Sequence, residues 1–235
     1  MRLDFINSYL FWHERSCYIS QMSDTTVSTR QKILDEGLAL MSGSGLSGVT
    51  LGVLAARVGM SKSGLFAHFR SKEAVQIALL DYTAAVADEH ITLSSADAAP
   101  GLPRLKALIK NWFGWAQRAG LPGGCPIAAG LFEFDDAEGA VRDKILKMEN
   151  EWREFLKQLV EEAVREKHLR RNLDVDQFVW ELCGIYLSHH AAHRLLRSKD
   201  ADIRANRAVE NLLERALPPK SKAQSATKTA RRKSN

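Results

Sequence analysis

The 235-residue sequence contains few cysteines, and their positions exclude the roles that cysteines most often have in small proteins. Cys17, Cys125 and Cys183 are the only three, and no two of them form a Cys-x-x-Cys pair. An odd number of widely spaced cysteines argues against a disulfide framework and against a structural zinc site. We therefore predict a cytoplasmic protein with no disulfide and no bound metal ion.

The sequence also lacks a hydrophobic run long enough to cross a membrane. In residues 1–21 the longest apolar run is Tyr9–Trp12, and charged residues interrupt the rest. This segment fits neither a membrane span nor a signal peptide, so no membrane partner is predicted. The sequence from Met22 onward is typical of a protein start, and we interpret residues 1–21 as an extension from a misplaced gene start. The alternative is a real extension whose aromatic residues pack on the body.

Sequence signatures of the common enzyme classes are absent. There is no Gly-x-Ser-x-Gly elbow and no cluster of His, Asp and Glu with metal-ligand spacing. The turn at residues 120–125 resembles a phosphate loop, but it lacks the Lys-Ser/Thr pair and a preceding strand. His189 and His193 are one helical turn apart, yet no carboxylate or cysteine completes a ligand set, which favours interface or core roles. We predict no enzymatic activity and no cofactor.

The net charge of +5 does not describe a uniformly basic protein. Residues 220–235 contain six basic and no acidic residues, so the rest of the chain is one charge negative. Pro218 and Pro219 end the last helix, and the composition beyond them cannot form a core. We predict a disordered basic tail over residues 218–235, which would either bind DNA without sequence preference or aid solubility. The overall charge is therefore no argument for specific DNA binding.

Residues 50–74 carry the most specific pattern in the sequence. Thr50 is a good N-cap, and apolar residues follow it at three- and four-residue spacing along a helix of about two turns. Gly59 provides the positive φ that a helix end often requires, and Ser61 caps a second helix two residues later. Ser71 caps a third helix. Two short helices joined by a sharp turn, over residues 50–69, are typical of a helix-turn-helix that places its second helix in a DNA groove.

The second helix of this motif begins with residues that are unsuited to a protein core. Its first turn is small, polar or basic, which allows a close approach to base edges and phosphates. Lys72 lies in the first turn of the next helix, where a lysine opposes the helix dipole and a nearby anion would explain its presence. The predicted DNA-binding residues are Thr50, Ser61, Lys62, Ser63, Gly64, Phe66, His68 and Lys72.

From about residue 28 to residue 80 the sequence resembles the TetR/AcrR family of one-component bacterial transcription regulators. The matching residues, in order, are Ile33, Leu34, Leu38, Met41, Gly45, Val49, Thr50, Leu54, Ala55, Val58, Gly59, Ser61, Leu65, Phe66, His68, Phe69, Lys72 and Glu73. The resemblance implies a helix-turn-helix domain over residues 27–87 that binds double-stranded DNA at a palindromic operator. At the position of Phe66 the family most often has a tyrosine whose hydroxyl binds a DNA phosphate, and phenylalanine cannot donate that hydrogen bond. The alternative function is a helical adaptor that has lost specific DNA binding.

The rest of the chain predicts further helices, so the expected fold class is all-α. A breaker at residues 94–101 marks a linker, and residues 100–217 are predicted to form a C-terminal domain for effector binding and dimerisation. Apolar residues at helical spacing predict helices over about 103–119, 127–134, 136–167, 174–197 and 200–217. The last two carry more apolar residues than one core requires. In the resembled family these helices pair with those of a second subunit, which implies a homodimer.

Aromatic residues of this C-terminal domain are candidates for lining an effector site. The resemblance implies a ligand-responsive repressor, in which a small molecule bound among these helices releases DNA. Apolar rings with few interior charges suggest a hydrophobic or aromatic effector, although each ring by default packs in the core. The predicted ligand-binding residues are Trp112, Trp115, Phe132, Trp152, Phe155, Trp180 and Tyr186. Cys125 is either a reactive thiol or a packed one, and the absence of a basic neighbour in sequence favours packing.

Overall fold

A computed structural model of the protein describes residues 28–219, and these residues form ten α-helices. The helices are α1 (Thr29–Ser44), α2 (Leu51–Arg57), α3 (Lys62–His68), α4 (Lys72–Ile91), α5 (Leu102–Trp112), α6 (Trp115–Arg118), α7 (Pro126–Glu133), α8 (Ala140–Arg165), α9 (Val175–Arg194) and α10 (Ala201–Ala216). The described part of the chain contains no strand, which confirms the all-α class. Among its helices, none combines the length and the hydrophobicity of a membrane span. The predicted extension at residues 1–21 and residues 220–235 of the predicted tail lie outside the described residues.

Helices α2, α3 and α4 begin where the predicted capping residues indicate, and α1 has a cap of the same kind. Ser28, Thr50, Ser61 and Ser71 are the N-caps of α1 to α4, and each side-chain oxygen accepts a hydrogen bond of 3.0 to 3.2 Å from the backbone N–H three residues later. Gly59 has a φ of +70° just beyond the end of α2. The connection between α2 and α3 is therefore as short and as bent as the sequence indicates, because a cap and a glycine determine it locally.

Two hydrophobic cores share the same pair of long helices. The first core encloses α1 to α3 and the first half of α4, and α8 closes it with Val141, Ile145 and Met148. The second core contains the end of α4, the rest of α8, and buried residues of α5, α6, α7, α9 and α10. Since α4 and α8 contribute residues to both cores, a shift of either helix would change the packing of both cores.

The C-terminal helices differ from the predicted ones in two places. The helix predicted over 103–119 is broken after Trp112, because Gly114 takes a φ of +72° and α6 starts only at Trp115. The long helix predicted from Asp136 begins four residues later, at Ala140, and its N-cap is Gly139 with a φ of +101°. At Gly114 the apolar spacing continues past a glycine whose backbone ends α5, whereas at Gly139 a glycine, and not Asp136, starts the helix.

Helices α9 and α10 pack against each other and leave apolar side chains exposed. Leu182 and Leu212 face the second core. Trp180, Leu195, Leu196 and Ile203 remain largely exposed to solvent in the single chain. One face of this helix pair therefore packs into the second core, and the pair also has apolar side chains that no described residue of the single chain covers.

Candidate nucleic-acid interface and internal cavity

Helix α3 is held in place by one buried leucine and otherwise faces solvent. Leu65 is completely buried in the first core, whereas Ser61, Lys62, Ser63 and His68 are exposed. The Oγ atoms of Ser61 and Ser63 lie 3.0 Å apart and share a hydrogen bond. Phe66 is 52% exposed, which is unusual for a bulky ring on a helix of a folded domain. The exposed surface of α3 is thus small, polar and basic at its start, with one ring beside it.

Basic residues surround α3. Residues 57–72 contain four basic residues, Arg57, Lys62, Arg70 and Lys72, and no acidic ones. Arg57 donates from Nε to Glu36 Oε2 at 2.6 Å. The stem of Lys62 lies across the first turn of α2, where a Cβ at Gly52 would approach Lys62 Cε at 2.8 Å. Glycine at position 52 therefore leaves room for the side chain of Lys62. This lysine is exposed at the start of α3.

Lys72 lies beside the turn that precedes α2. Its Nζ donates to the carbonyl oxygen of Ser47 at 3.3 Å. The side chain of Gln76 donates from Nε2 to the carbonyl oxygen of Leu46 at 3.0 Å. The first two turns of α4 thus hold the carbonyl groups of this turn, and Lys72 stays exposed.

The N–H groups of the same turn bind a carboxylate from the second half of the protein. Glu133, the last residue of α7, accepts from Leu46 N at 2.8 Å and from Ser47 N at 2.6 Å. Hydrogen bonds to a charged acceptor are stronger than those between neutral groups. Sequence reasoning did not identify Glu133, because its partners lie 86 and 87 residues away and no local pattern indicates them.

The segment that leads into α7 makes a second contact with the N-terminal helices. Gly123 N donates to Ser42 Oγ and Gly124 N donates to the Ser42 carbonyl oxygen, both at 3.2 Å. A Cβ built on Gly123 would overlap the Ser42 carbonyl group. Only glycine therefore allows this approach. Helix α7 is attached to the N-terminal helices at both ends, through Ser42 before it and through Glu133 at its end.

The inner face of α7 borders a cavity that is partly open to solvent; counted with the space at its mouth, its volume is about 670 Å³. The lining comes from α4, α5, α7, α8 and α9 together with Trp115 and Cys125. Four of the seven predicted ligand-binding residues line it: Trp112, Trp115, Trp152 and Tyr186.

The other three predicted ligand-binding residues lie elsewhere. Phe132 and Trp180 are each 65% exposed on the outer surface. Phe155 is buried behind Trp152, with 5.7 Å between the ring centroids. Helical spacing alone did not reveal which faces of α7, α8 and α9 point inward, since that depends on how the helices cross.

The rings in the cavity pack on one another. Trp112 stacks on Tyr186 with centroids 4.1 Å apart and 17° between the planes, and it meets Trp152 edge-on at 5.0 Å. Trp152 Nε1 is buried without a hydrogen-bond acceptor among the described residues. Pre-packed aromatic walls with few polar groups are typical of small-molecule sites.

Burial governs the ionisable groups of the cavity. It raises the pKa of the Glu149 carboxyl, and the guanidinium of Arg153, whose Nε lies 2.7 Å from Glu149 Oε1, only partly offsets this. Burial also raises the pKa of the Cys125 thiol and raises that of Cys183 to about 11. Both cysteines are therefore neutral thiols near pH 7, which favours the packed role for Cys125 over the reactive one.

His189 of α9 serves packing, and its ring lies close to that of His193. His189 is buried, its Nε2 lies 2.7 Å from Asp202 Oδ1 on α10, and its ring contacts Phe113. The rings of His189 and His193 are 5.8 Å apart. Within residues 28–219 no three His, Cys, Asp or Glu side chains are grouped so that they could hold a metal ion. His189 instead links α9 to α10.

Two protein-family models match the chain. The model for bacterial regulatory proteins of the tetR family matches residues 33–79, and the one for the tetracyclin repressor-like C-terminal domain matches residues 101–209. Among curated proteins, the nucleoid occlusion factor SlmA of Edwardsiella ictaluri is 29% identical over 145 residues, which are 60% of this chain and 72% of SlmA.

Solved structures of the same family share the fold. A TetR transcriptional regulator from Chloroflexus aurantiacus has a TM-score of 0.70 at 26% identity, covering 79% of this chain and 92% of its own. AibR, solved in complex with isovaleryl coenzyme A and operator DNA, has a TM-score of 0.57 at 22% identity, covering 74% and 95%. The helices that carry the candidate interface and the cavity thus occur in regulators of known structure.

Proposed function

The chain belongs to the TetR family of DNA-binding transcription regulators, and we propose that α3 is its recognition helix and that the cavity bordered by α7 is its effector site. The observation that carries the first part is the exposed, small and polar first turn of α3 inside a basic surface. Such a helix fits the major groove, with base contacts from its start and phosphate contacts around it. We expect Lys62 and Ser63 to contact bases and Lys72 to contact a phosphate.

The proposed boundaries are a DNA-binding domain over residues 27–87 and an effector-binding and dimerisation domain over residues 100–217. The two family matches, 33–79 and 101–209, fall inside these ranges and support them. We assign the protein to the cytoplasm and give it no catalytic role. The regulators of this family act on transcription by binding DNA, which requires no catalysis.

Regulators of this family bind operator DNA as dimers, and we place the dimer interface on α9 and α10. Trp180, Leu195, Leu196 and Ile203 supply the exposed apolar surface that a second copy would cover. A twofold dimer presents two α3 helices to the two halves of a palindrome.

A matched pair of substitutions tests this interface. Trp180→Glu would place a charge within the proposed pairing surface, near the start of α9, and should give a monomer in sedimentation velocity at micromolar concentration. Phe132 is equally exposed, at 65%, but lies on α7, so Phe132→Glu should leave the dimer intact. A Trp180→Glu protein that sediments as a dimer would move the interface away from α9.

The contacts of α7 provide the route from effector to DNA. Ile127, Ala128 and Leu131 line the cavity on one side of the helix, and Glu133 binds the turn before α2 from its end. A ligand that displaces α7 therefore moves the turn to which Lys72 is also bound. Repression relieved by a ligand follows if the displaced arrangement binds the operator less well.

The experiment that tests DNA binding is footprinting on the DNA upstream of the protein's own gene. Protection of a palindrome of roughly 15 to 30 base pairs is expected for two half-sites one or two helical turns apart. If no promoter fragment is retarded even at low salt, the adaptor function replaces the regulator.

Lysine substitutions then distinguish the two kinds of contact. Lys72→Ala should weaken binding evenly across operator variants and reduce the salt slope by about 1. Lys62→Ala should change the preferred sequence, with about 1 to 3 kcal/mol lost at the contacted position. Lys106→Ala, which removes an exposed lysine of α5, is the control and should do neither. Wild-type affinity in Lys72→Ala would show that the phosphate contact is misplaced.

A further inference from the structure

A second cleft adjoins the cavity and is lined by basic side chains of α9. These are His189, His190, His193 and Arg194, all from the last two turns of the helix. Among the described residues that line the cleft there is no Asp or Glu. Counted with the space at its mouth, the volume of the cleft is about 300 Å³, less than half that of the first cavity. The cleft therefore suits a small ligand, and its basic wall favours a negative one.

The other walls of the cleft are uncharged near neutral pH. Trp115, Cys125 and Tyr186 line both the cleft and the first cavity, so they form the wall between the two. Burial raises the pKa of the Cys125 thiol and of the Tyr186 hydroxyl. Helix α6 adds the neutral amide of Gln117. The guanidinium of Arg118, also on α6, is bonded to backbone carbonyl groups of the preceding turn.

Arg194 and His190 meet at Gly124. A Cβ built on Gly124 would lie 2.7 Å from His190 Cε1 and 2.9 Å from Arg194 Cδ, so the two side chains are neighbours. Within residues 28–219 neither the Arg194 guanidinium nor the His190 ring has a hydrogen bond or a carboxylate partner. Arginine is charged at every physiological pH, and its five N–H donors need acceptors. The positive charge at this point of the cleft is therefore not neutralised by the described residues.

The charged groups around His190 are cationic or already bonded. Burial lowers the pKa of His190, and Arg194, His189 and His193 lower it further. The nearest carboxylate from α10 is that of Asp202, whose Oδ1 lies 2.7 Å from His189 Nε2. Its side chain is 75% exposed, outside the cleft. The cleft thus contains a cationic cluster that lacks an anion.

We propose that this cleft binds a small oxyanion, such as sulfate or a phosphate group, between Arg194 and His190. A guanidinium donates two parallel hydrogen bonds to such an anion, and a protonated imidazole can add a third. The site is distinct from α3 and from the proposed effector cavity, so it can exist whether or not either assignment holds. Because Gly124 N donates to the Ser42 carbonyl oxygen, the anion would lie beside a contact with the N-terminal helices.

Binding is expected to depend on pH through His190. Its lowered pKa keeps the imidazole mainly neutral at pH 7 in the free protein. A bound anion favours the protonated form and raises this pKa, so binding takes up a proton. The affinity should therefore increase as the pH falls through the pKa of His190 in the complex. It should level off below the pKa of His190 in the free protein.

NMR of the histidine rings in the full chain tests the site. Sulfate is the probe, because it does not titrate near neutral pH, and the His190 signal is identified by its absence from His190→Gln. When sulfate replaces sodium chloride at equal ionic strength, the pKa of His190 should rise by about 0.5 or more. The pKa of His90, at the end of α4, should stay the same. A His190 pKa that sulfate leaves unchanged would overturn the proposal.

Charge variants separate a binding role of Arg194 from a structural one. Arg194→Gln should weaken sulfate binding, measured in the same titrations, by about tenfold. Arg194→Lys keeps the charge without the planar fork and should lose less. Arg207→Gln removes the same charge from an exposed position of α10 and should bind as the parent does. Parent-like binding by Arg194→Gln would overturn the proposal. If that variant does not fold, the His190 titration in the parent decides.

Competition with phosphates identifies the source of the anion. Inorganic phosphate and glycerol 3-phosphate should each displace sulfate and reverse its effect on the His190 signal. Tighter binding of the monoester assigns the site to a phosphate group carried by a larger molecule, and tighter or equal binding of inorganic phosphate assigns it to the free ion. If neither displaces sulfate, the cleft is not an oxyanion site.

Discussion

The helices proposed to read DNA and the cavity proposed to bind the effector depend on the sequence in opposite ways. All the predicted DNA contacts lie between Thr50 and Lys72, and N-caps within that segment set the start of each helix. The cavity is lined by residues from Ala87 to Leu187 that belong to six helices and the loops between them. The first site is therefore determined mainly by local hydrogen bonds, and the second by the packing of distant segments.

The two regions also differ in charge and exposure. The side chains around α3 are exposed and basic, so substitutions there should alter DNA affinity with little effect on stability. The cavity is buried, aromatic and acidic, so substitutions there should change stability as well as ligand binding. Helix α7 lines the cavity and is hydrogen-bonded to the N-terminal helices. Any coupling between ligand binding and DNA binding should therefore depend on its contacts.

The largest expected effect comes from breaking the contact at Gly123. Gly123→Ala would force a Cβ against the Ser42 carbonyl group, which has no room to yield because it also accepts from Gly124 N. Overpacking usually costs up to about 3 kcal/mol in the free energy of unfolding, and an overlap with backbone atoms should cost at least that much. Urea unfolding followed by circular dichroism measures it.

A neighbouring glycine provides the control. A Cβ on Gly43, in the last turn of α1, meets nothing within 4 Å. Gly43→Ala should therefore stabilise the protein by up to about 1 kcal/mol, the helix-propensity difference between the two residues. Equal effects at the two positions would mean that the contact between Gly123 and Ser42 does not join the two regions.

The next effect in size concerns the carboxylate that joins α7 to the turn before α2. Glu133→Gln leaves one acceptor oxygen for two N–H donors and turns an NH₂ group toward one of them. We expect a loss of about 1.5 to 3 kcal/mol in the free energy of unfolding. Amide hydrogen exchange at Leu46 and Ser47 should become faster, and a bound effector should alter operator affinity less.

An exposed glutamate five residues later is the matched control. Glu138 lies in the turn before α8, and Glu138→Gln removes the same charge without touching the turn before α2. It should leave both the unfolding and the exchange of Leu46 and Ser47 unchanged. If Glu133→Gln gives the same protected amides as the parent, the signal from the cavity does not pass through Glu133.

The same contrast explains what the sequence could and could not reveal. Thr50, Ser61 and Ser71 act on groups three residues away, so the starts of α2, α3 and α4 were predictable. Glu133 acts on a turn more than 80 residues away. No pattern around it could indicate that partner.

Aromatic spacing shows the same limit within the C-terminal helices. Trp112 and Trp180 are both tryptophans at apolar helix positions, yet one lines the cavity and the other is 65% exposed. Their difference arises from helix crossing, which requires the assembled fold. The break at Gly114 was missed for a related reason, since the apolar pattern continues on both sides of it.

The smallest expected effect adds one oxygen to the exposed region. Phe66 is 52% exposed on α3, at the position where the family most often has a phosphate-binding tyrosine. Phe66→Tyr should tighten operator binding by about fivefold, equivalent to a net hydrogen bond of about 1 kcal/mol. Because the added group is neutral, the salt slope of binding should not change, unlike the slope in Lys72→Ala.

The reverse substitution in the cavity, Tyr186→Phe, should change stability and leave DNA binding unaffected. The Tyr186 hydroxyl is buried in the cavity, which the Cys125 thiol also lines. Tyr186→Phe removes the same single atom, so it should lower the free energy of unfolding by about 0.5 to 1.5 kcal/mol and leave operator affinity unchanged. Retardation assays measure the operator affinity of each of the two variants, and urea unfolding measures the free energy of unfolding of each. If Phe66→Tyr alters stability, or Tyr186→Phe alters operator affinity in the absence of ligand, the separation between a locally built DNA-reading surface and a packed cavity does not hold.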